Sequence, residues 1–116
     1  MKVLITINDA PYGSERAYNA LRLAGSLAKR EGVEVRVFLV GDGASCAKGG
    51  QKVPHGYYNA QTMVSAVVRR GGQFGVCGTC MDARGIIDAE LVDGAHRSSL
   101  EEWATWTVES DKALIF

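Results

Sequence analysis

Two short runs of nearly continuous apolar, β-branched residues, with one amphipathic helical segment between them, set the tightest limit on what this chain can become. Lys2 to Ile7 has no polar face, so a strand made from it must be covered on both sides. Asn8-Asp9-Ala10-Pro11-Tyr12-Gly13 stops it with turn chemistry. Ser14 is placed to cap a helix over Glu15 to Arg30, where Ala17, Ala20, Leu21, Ala24, Leu27 and Ala28 recur at helical spacing before Gly32 ends it. Val33 to Val40 then repeats the strand pattern. Strand, helix and strand joined by short links predict a right-handed βαβ unit and a parallel sheet.

A chain of 116 residues, 47% of them hydrophobic, makes one α/β domain over residues 1–116 with a real core. Thirteen basic residues balance thirteen acidic ones, so charge argues against nucleic acid or an anionic membrane as a partner. No apolar run approaches the ~20 residues that span a bilayer. Met1 to Ile7 lacks the long apolar region and cleavage site of a signal peptide, which leads to the expectation of a cytoplasmic protein.

Residues 41–56 are rich in glycine and hold Cys46, Lys48, Gln51 and His55, with a short helix expected at Ala44 to Lys48. A connection this long in a small α/β domain is usually functional. Tyr57 to Arg70 reads as the second helix, and Gly71-Gly72 ends it. Gln73 to Val76 is the next strand, and Cys77-Gly78-Thr79-Cys80-Met81-Asp82-Ala83-Arg84-Gly85 follows at once. Cys77 therefore stands at the carboxyl end of a buried strand, the edge of a parallel sheet where reactive groups collect. A helix opening there and a nearby guanidinium both favour thiolate over thiol, and the thiolate is the nucleophile. Beyond this stretch, one irregular turn is expected at Asp82 to Gly85 and a fourth strand at Ile86 to Val92. Ser98 with Glu101 forms a capping box for a helix from Ser99 to about Ser110, with Trp103, Ala104, Thr107 and Val108 inward. Lys112 to Phe116 closes the sheet.

Three cysteines, two of them only three positions apart, make a poor disulfide framework but suit redox, sulfur-carrying or metal chemistry. Cys77 and Cys80 supply half of a zinc site, and no second such pair exists. A thioredoxin-like motif is the other alternative, but both prolines, Pro11 and Pro54, precede the cysteines, which leaves no later proline partner. His55 and His96 read as surface histidines and Cys46 as a packed small side chain. Neither a P-loop nor a dinucleotide fingerprint is present, and no cofactor is expected.

Met1 to Gly13, Gly50-Gln51-Lys52 with Gly56-Tyr57 behind it, Cys77-x-x-Cys80-x-Asp82-x-Arg84-Gly85-Ile86, and Ala104-x-Trp106-Thr107 through Asp111-Lys112 together resemble the DsrE/DsrF-like family, most nearly its YchN branch. The resemblance implies a three-layer α/β/α domain with a mostly parallel five-stranded sheet, and a homo-oligomer, trimer or hexamer. In sulfur-relay members of the family, six residues separate a persulfide-carrying cysteine from an Arg-Gly pair. Cys77 stands in that relation to Arg84-Gly85. Cys80 looks like the second cysteine of the YchN branch and a possible resolving thiol. The implied function is sulfur relay between donor and acceptor proteins or small thiols, with a non-enzymatic binding or assembly module as the alternative. Asp82, Arg84, Asn8, Tyr12 and Gln51 are the expected substrate-binding positions.

Overall fold

A computed structural model describes residues 1–116. Five strands form one sheet, β1 (Lys2–Ile7), β2 (Glu34–Leu39), β3 (Gln73–Cys77), β4 (Ala95–Ser98) and β5 (Lys112–Ile115), in the order β4-β3-β2-β1-β5. Every pairing is parallel. All carboxyl ends therefore lie along one edge, and that edge carries Cys77.

Alternation along the strands sorts the side chains between the two faces. Val3, Ile5, Ile7, Val35, Val37, Leu39, Phe74 and Val76 join the larger core cluster. Helices α1 (Arg16–Ala28) and α2 (Ala60–Arg69) cover that face with Ala17, Ala20, Leu21, Ala24, Ala60, Val64 and Val67. On the opposite face Leu4 and Phe38 pack under Trp106 of α4 (Leu100–Glu109), with Trp103 beside them. Trp103 stacks on Phe38 at 4.8 Å, and its indole N–H donates to Thr6 Oγ1 at 3.1 Å, which satisfies the one buried polar side chain of β1. Gly75 lets α4 sit this close: a Cβ there would lie 3.2 Å from Trp106 and 3.3 Å from both Phe38 and Glu102.

The expected helix at residues 44–48 is a longer 3₁₀ turn, Gly41–Ala47. It approaches β1 so closely that a Cβ on Gly43 would stand 2.0 Å from the Ile7 carbonyl oxygen. Asn8 O and Val40 O both accept from Gly43 N–H, which locks the turn over the sheet edge.

Several boundaries move from their expected places. Ile86 to Val92 is not a strand: buried Ile86 and Val92 pin the two ends of a loop that contains a 3₁₀ turn, Asp88–Glu90, and a single antiparallel bridge from Leu91 to Lys48. The fourth strand is instead Ala-His-Arg-Ser, an edge strand too short and polar to show an apolar pattern. Helix α1 starts at Arg16 after Glu15, whose own side chain makes no cap bond; the Ser14 hydroxyl, one residue earlier, accepts from Arg16 N–H at 3.3 Å while donating to Asp9 Oδ2 at 2.5 Å. Helix α2 starts at Ala60 rather than Tyr57, with the Asn59 side chain accepting from Thr62 N–H. In α4 the cap is Ser99, which accepts from Glu102 N–H, since Ser98 belongs to β4. The inner stripe of α4 is Trp103, as expected, with Trp106 at 5% exposure, while Ala104 and Thr107 are exposed and Val108 stands 87% exposed.

Gly43→Ala should lower stability by about 1–3 kcal/mol, the usual cost of overpacking. Gly25→Ala, in the middle of α1 with nothing within 4 Å of the new methyl, should raise it by about 0.5–1 kcal/mol through helix propensity. Thermal or urea unfolding of the two variants measures both signs in one comparison.

Candidate functional site

The carboxyl end of β3 passes directly into α3 (Gly78–Ala83), with Cys77 at the junction. Cys77 and Cys80 are both free and partly exposed, and the Cys80 thiol donates to Cys77 Sγ at 2.8 Å. A Cys-x-x-Cys pair on one helical turn brings its sulfurs together because residues three apart share a face. Thr79 Oγ1 lies 3.4 Å from Cys77 Sγ, and Gly41 N–H at the start of the 3₁₀ turn donates to Cys80 Sγ at 3.1 Å.

The two thiols are pushed in opposite directions. Partial burial acts to raise Cys77, but hydrogen bonds from Cys80 and Thr79 and, after them, the backbone N–H groups of those residues outweigh it and hold the thiol below its ordinary value. Cys77 Sγ accepts no backbone cap bond, and the side-chain donors contribute more than the backbone N–H groups. Cys80 is raised, by burial first and then by giving its proton to Cys77, although the Gly41 N–H and the charge of Arg84 oppose the shift. Within the pair the anion is thus favoured on Cys77 and the proton on Cys80. Cys46 is different: burial pushes it up to about 12, its thiol donates to Asp9 O at 3.5 Å, and it packs within the main core.

The expected substrate-binding residues divide. Asp82 and Arg84 sit beside the pair, but neither faces the Cys77 sulfur. Arg84 donates to the Cys80 carbonyl at 3.0 Å and to Asp42 Oδ1 at 2.7 Å, tying α3 to the 3₁₀ turn. Asp82 accepts a two-pronged bond from Arg97, at 2.8 and 3.0 Å, and this pairing holds its carboxyl below the usual range. Asn8, Tyr12 and Gln51 hold loops together instead of lining the cavity on Cys77. The Asn8 amide donates to Phe116 O, the Tyr12 hydroxyl accepts from Ala60 N–H, and the Gln51 amide donates to the Ser45 and Lys48 carbonyls.

Arg97 is the neighbour that sequence reasoning missed. It comes from β4, whose Ser98 is the register partner of Cys77. Arg97 lies across Gly78, where a Cβ would come within 2.9 Å of its Nε; this accounts for a glycine after the first cysteine. Its guanidinium is stabilised first by Asp82, then by the charges of Asp88 and Cys77. The only signal for it in the sequence was an arginine in a polar tetrapeptide, which became legible once that segment proved to be β4.

Cys77 opens into a cavity of about 510 Å³ on the α4 face, walled by Phe38, Val40, Leu100 and Trp103. A cavity of about 580 Å³ lies at the amino-terminal edge of the sheet, around Met1, Lys2, Gly32 and Asp111. That second space contains no nucleophile and lies far from the chemistry. No cluster of three or more His, Cys, Asp or Glu side chains is arranged to hold a metal.

The chain matches the DsrE/DsrF-like family over residues 1–116. It is 40% identical to protein YchN of Escherichia coli, over 99% of this chain and 98% of that one. It is 37% identical to an uncharacterized protein of Methanocaldococcus jannaschii over the full length of both. The crystal structure of the Escherichia coli ychN protein superposes with a TM-score of 0.93 at 40% identity, covering 99% of this chain and 98% of that one. A protein of unknown function from Methanobacterium thermoautotrophicum shares the fold, with a TM-score of 0.77 at 16% identity and the same coverage. Family match, relatives and fold agree over the whole length: the chain belongs to the DsrE/DsrF-like family.

Proposed function

We propose that this protein carries sulfane sulfur on Cys77 and that Cys80 is the thiol that limits the lifetime of the persulfide. The observation that supports this reading best is the asymmetric pair itself: hydrogen bonds favour the anion on one sulfur and the proton on its partner 2.8 Å away, and both are partly exposed. Membership of a family linked to sulfur relay points the same way. In the loading step the Cys77 thiolate attacks the outer sulfur of a persulfide R–S–SH. A Cys77–S–SH persulfide forms and R–S⁻ leaves with the electron pair of the broken bond. A thiol or protein acceptor then takes the outer sulfur by the same displacement. If no acceptor comes, Cys80 as thiolate attacks the inner sulfur, a Cys77–Cys80 disulfide forms and HS⁻ leaves. Both cysteines must begin reduced, which suits a cytoplasmic setting.

The reading includes self-association. Strand β5 is an edge with all four residues exposed, Ile115 to 74%, and Val108 projects from α4 on the same side of the sheet. An unpaired, apolar edge on a monomer invites a partner strand or surface. We place a second copy of the chain there.

Intact-mass analysis after exposure to inorganic polysulfide should show one added sulfur on the wild type. The adduct should vanish in Cys77→Ser and last longer in Cys80→Ser; an adduct that survives Cys77→Ser contradicts the assignment. The rate of Cys77 alkylation follows the thiolate fraction, so it should level off at lower pH than for an ordinary thiol. Cys80→Ala removes a hydrogen bond that lowers the Cys77 pKa, so the profile should move to higher pH. Light scattering of Val108→Glu combined with Ile115→Lys should give a smaller particle than the wild type, at unchanged helical content.

A further inference from the structure

The cavity on Cys77 has a chemical character that the carrier role alone does not require. Its wall is the stacked pair Phe38 and Trp103, held nearly parallel at 4°, extended by Val40 and by Leu100 at the rim. Its volume, about 510 Å³, falls in the range of small-molecule sites. Two charged side chains border it, Arg97 and Glu101, and they are of opposite sign. Arg97 is already engaged by both oxygens of Asp82, with Asp88 3.9 Å away. No uncompensated cation is left to draw in an anionic donor such as thiosulfate. What remains is an apolar, aromatic-faced space with a nucleophilic sulfur on its wall.

We infer that this cavity takes the apolar body, aromatic or branched, of a small uncharged sulfane-sulfur compound, and presents its S–S bond to Cys77. The inference rests on the carrier reading and names the class of donor. Trp103, half-buried against the fully buried Phe38, is an aromatic wall against which an aromatic ring can pack by offset or edge-on contact. The thiolate lies at the cavity's wall rather than at a convex surface, so an R group seated on the aromatic pair and a reacting sulfur at Cys77 belong to one bound molecule.

Methanethiosulfonates test this without needing the natural donor. The Cys77 thiolate attacks the R–S sulfur, a Cys77–S–S–R bond forms, and methanesulfinate leaves with the electrons of the broken S–S bond. Second-order rates for the benzyl, methyl and sulfonatoethyl reagents are compared in a Cys80→Ser background, each divided by its rate with free cysteine at the same pH. The benzyl-to-methyl ratio cancels the thiolate fraction, so it reads the cavity alone. It should be about tenfold or more, as for one well-buried apolar group, and the sulfonatoethyl reagent should show no gain over methyl. Trp103→Ala should bring the ratio down toward one and Trp103→Phe should keep most of it. Leu100→Asp, at a rim position 68% exposed and therefore tolerant of change, should lower it several-fold even if Trp103→Ala fails to fold.

A normalised ratio near one, or a preference for the sulfonatoethyl reagent, overturns the inference and points to a donor delivered by a protein or as an anion. In that case sulfur uptake from polysulfide would still support the carrier reading. Loss of all sulfur uptake with the benzyl preference intact would overturn the assignment of the cavity to a sulfur donor.

Discussion

A parallel sheet must be covered on both faces, and its two coverings here are unequal. Helices α1 and α2, with the 3₁₀ turn, Met81 of α3, Ile86 and Val92, bury one face in the larger core, whereas α4 alone covers the other through two indoles. The site follows from that inequality. Cys77 is the last residue of a strand whose neighbour Val76 points into the sealed face, so alternation aims the cysteine at the thinly covered one. The same packing that buries Trp106 over Gly75 leaves an open space beyond it, under the first turn of α4, for the sulfur to meet.

The second requirement is a fixed Cys80. Gly43 allows the 3₁₀ turn to rest on the end of β1, and from there Gly41 N–H reaches the Cys80 sulfur. Arg84 closes the arrangement by bridging the Cys80 carbonyl and Asp42. The exposed Arg84–Asp42 ion pair adds little to overall stability. The effect of these contacts is positional: they hold the Cys80 sulfur where it can donate to Cys77. A carrier needs a nucleophile that is anionic when a donor arrives, and a neighbouring thiol serves as hydrogen-bond donor before loading and as nucleophile afterwards.

Much of this was legible in the chain. The buried strands at residues 2–7 and 34–39 announced themselves because apolar residues on both faces leave no other reading, and the cysteine pair stood where a strand gives way to a helix. What failed was the pattern at edges and caps. β4 is polar because one of its faces binds Asp82 through Arg97 while the other binds Glu102 through Ser98, and no apolar periodicity records such partners. Ser98 and Ser99 each begin a Ser-x-x-Glu pattern, and only the end of β4 decides which one caps α4. Arg84 was the obvious cation from sequence proximity. Arg97 is closer to the Cys77 side because strand pairing, not chain distance, decides neighbours across a sheet.

The central claim is that residue 77 holds the anion and residue 80 the proton. The most direct test is a pH titration of thiolate absorbance in the ultraviolet on the reduced wild type, Cys77→Ser and Cys80→Ser, with Cys46 left in its core. The account predicts a transition below the ordinary thiol range that is lost in Cys77→Ser alone. A low transition that persists in Cys77→Ser and disappears in Cys80→Ser would assign the nucleophile to the wrong sulfur and contradict it.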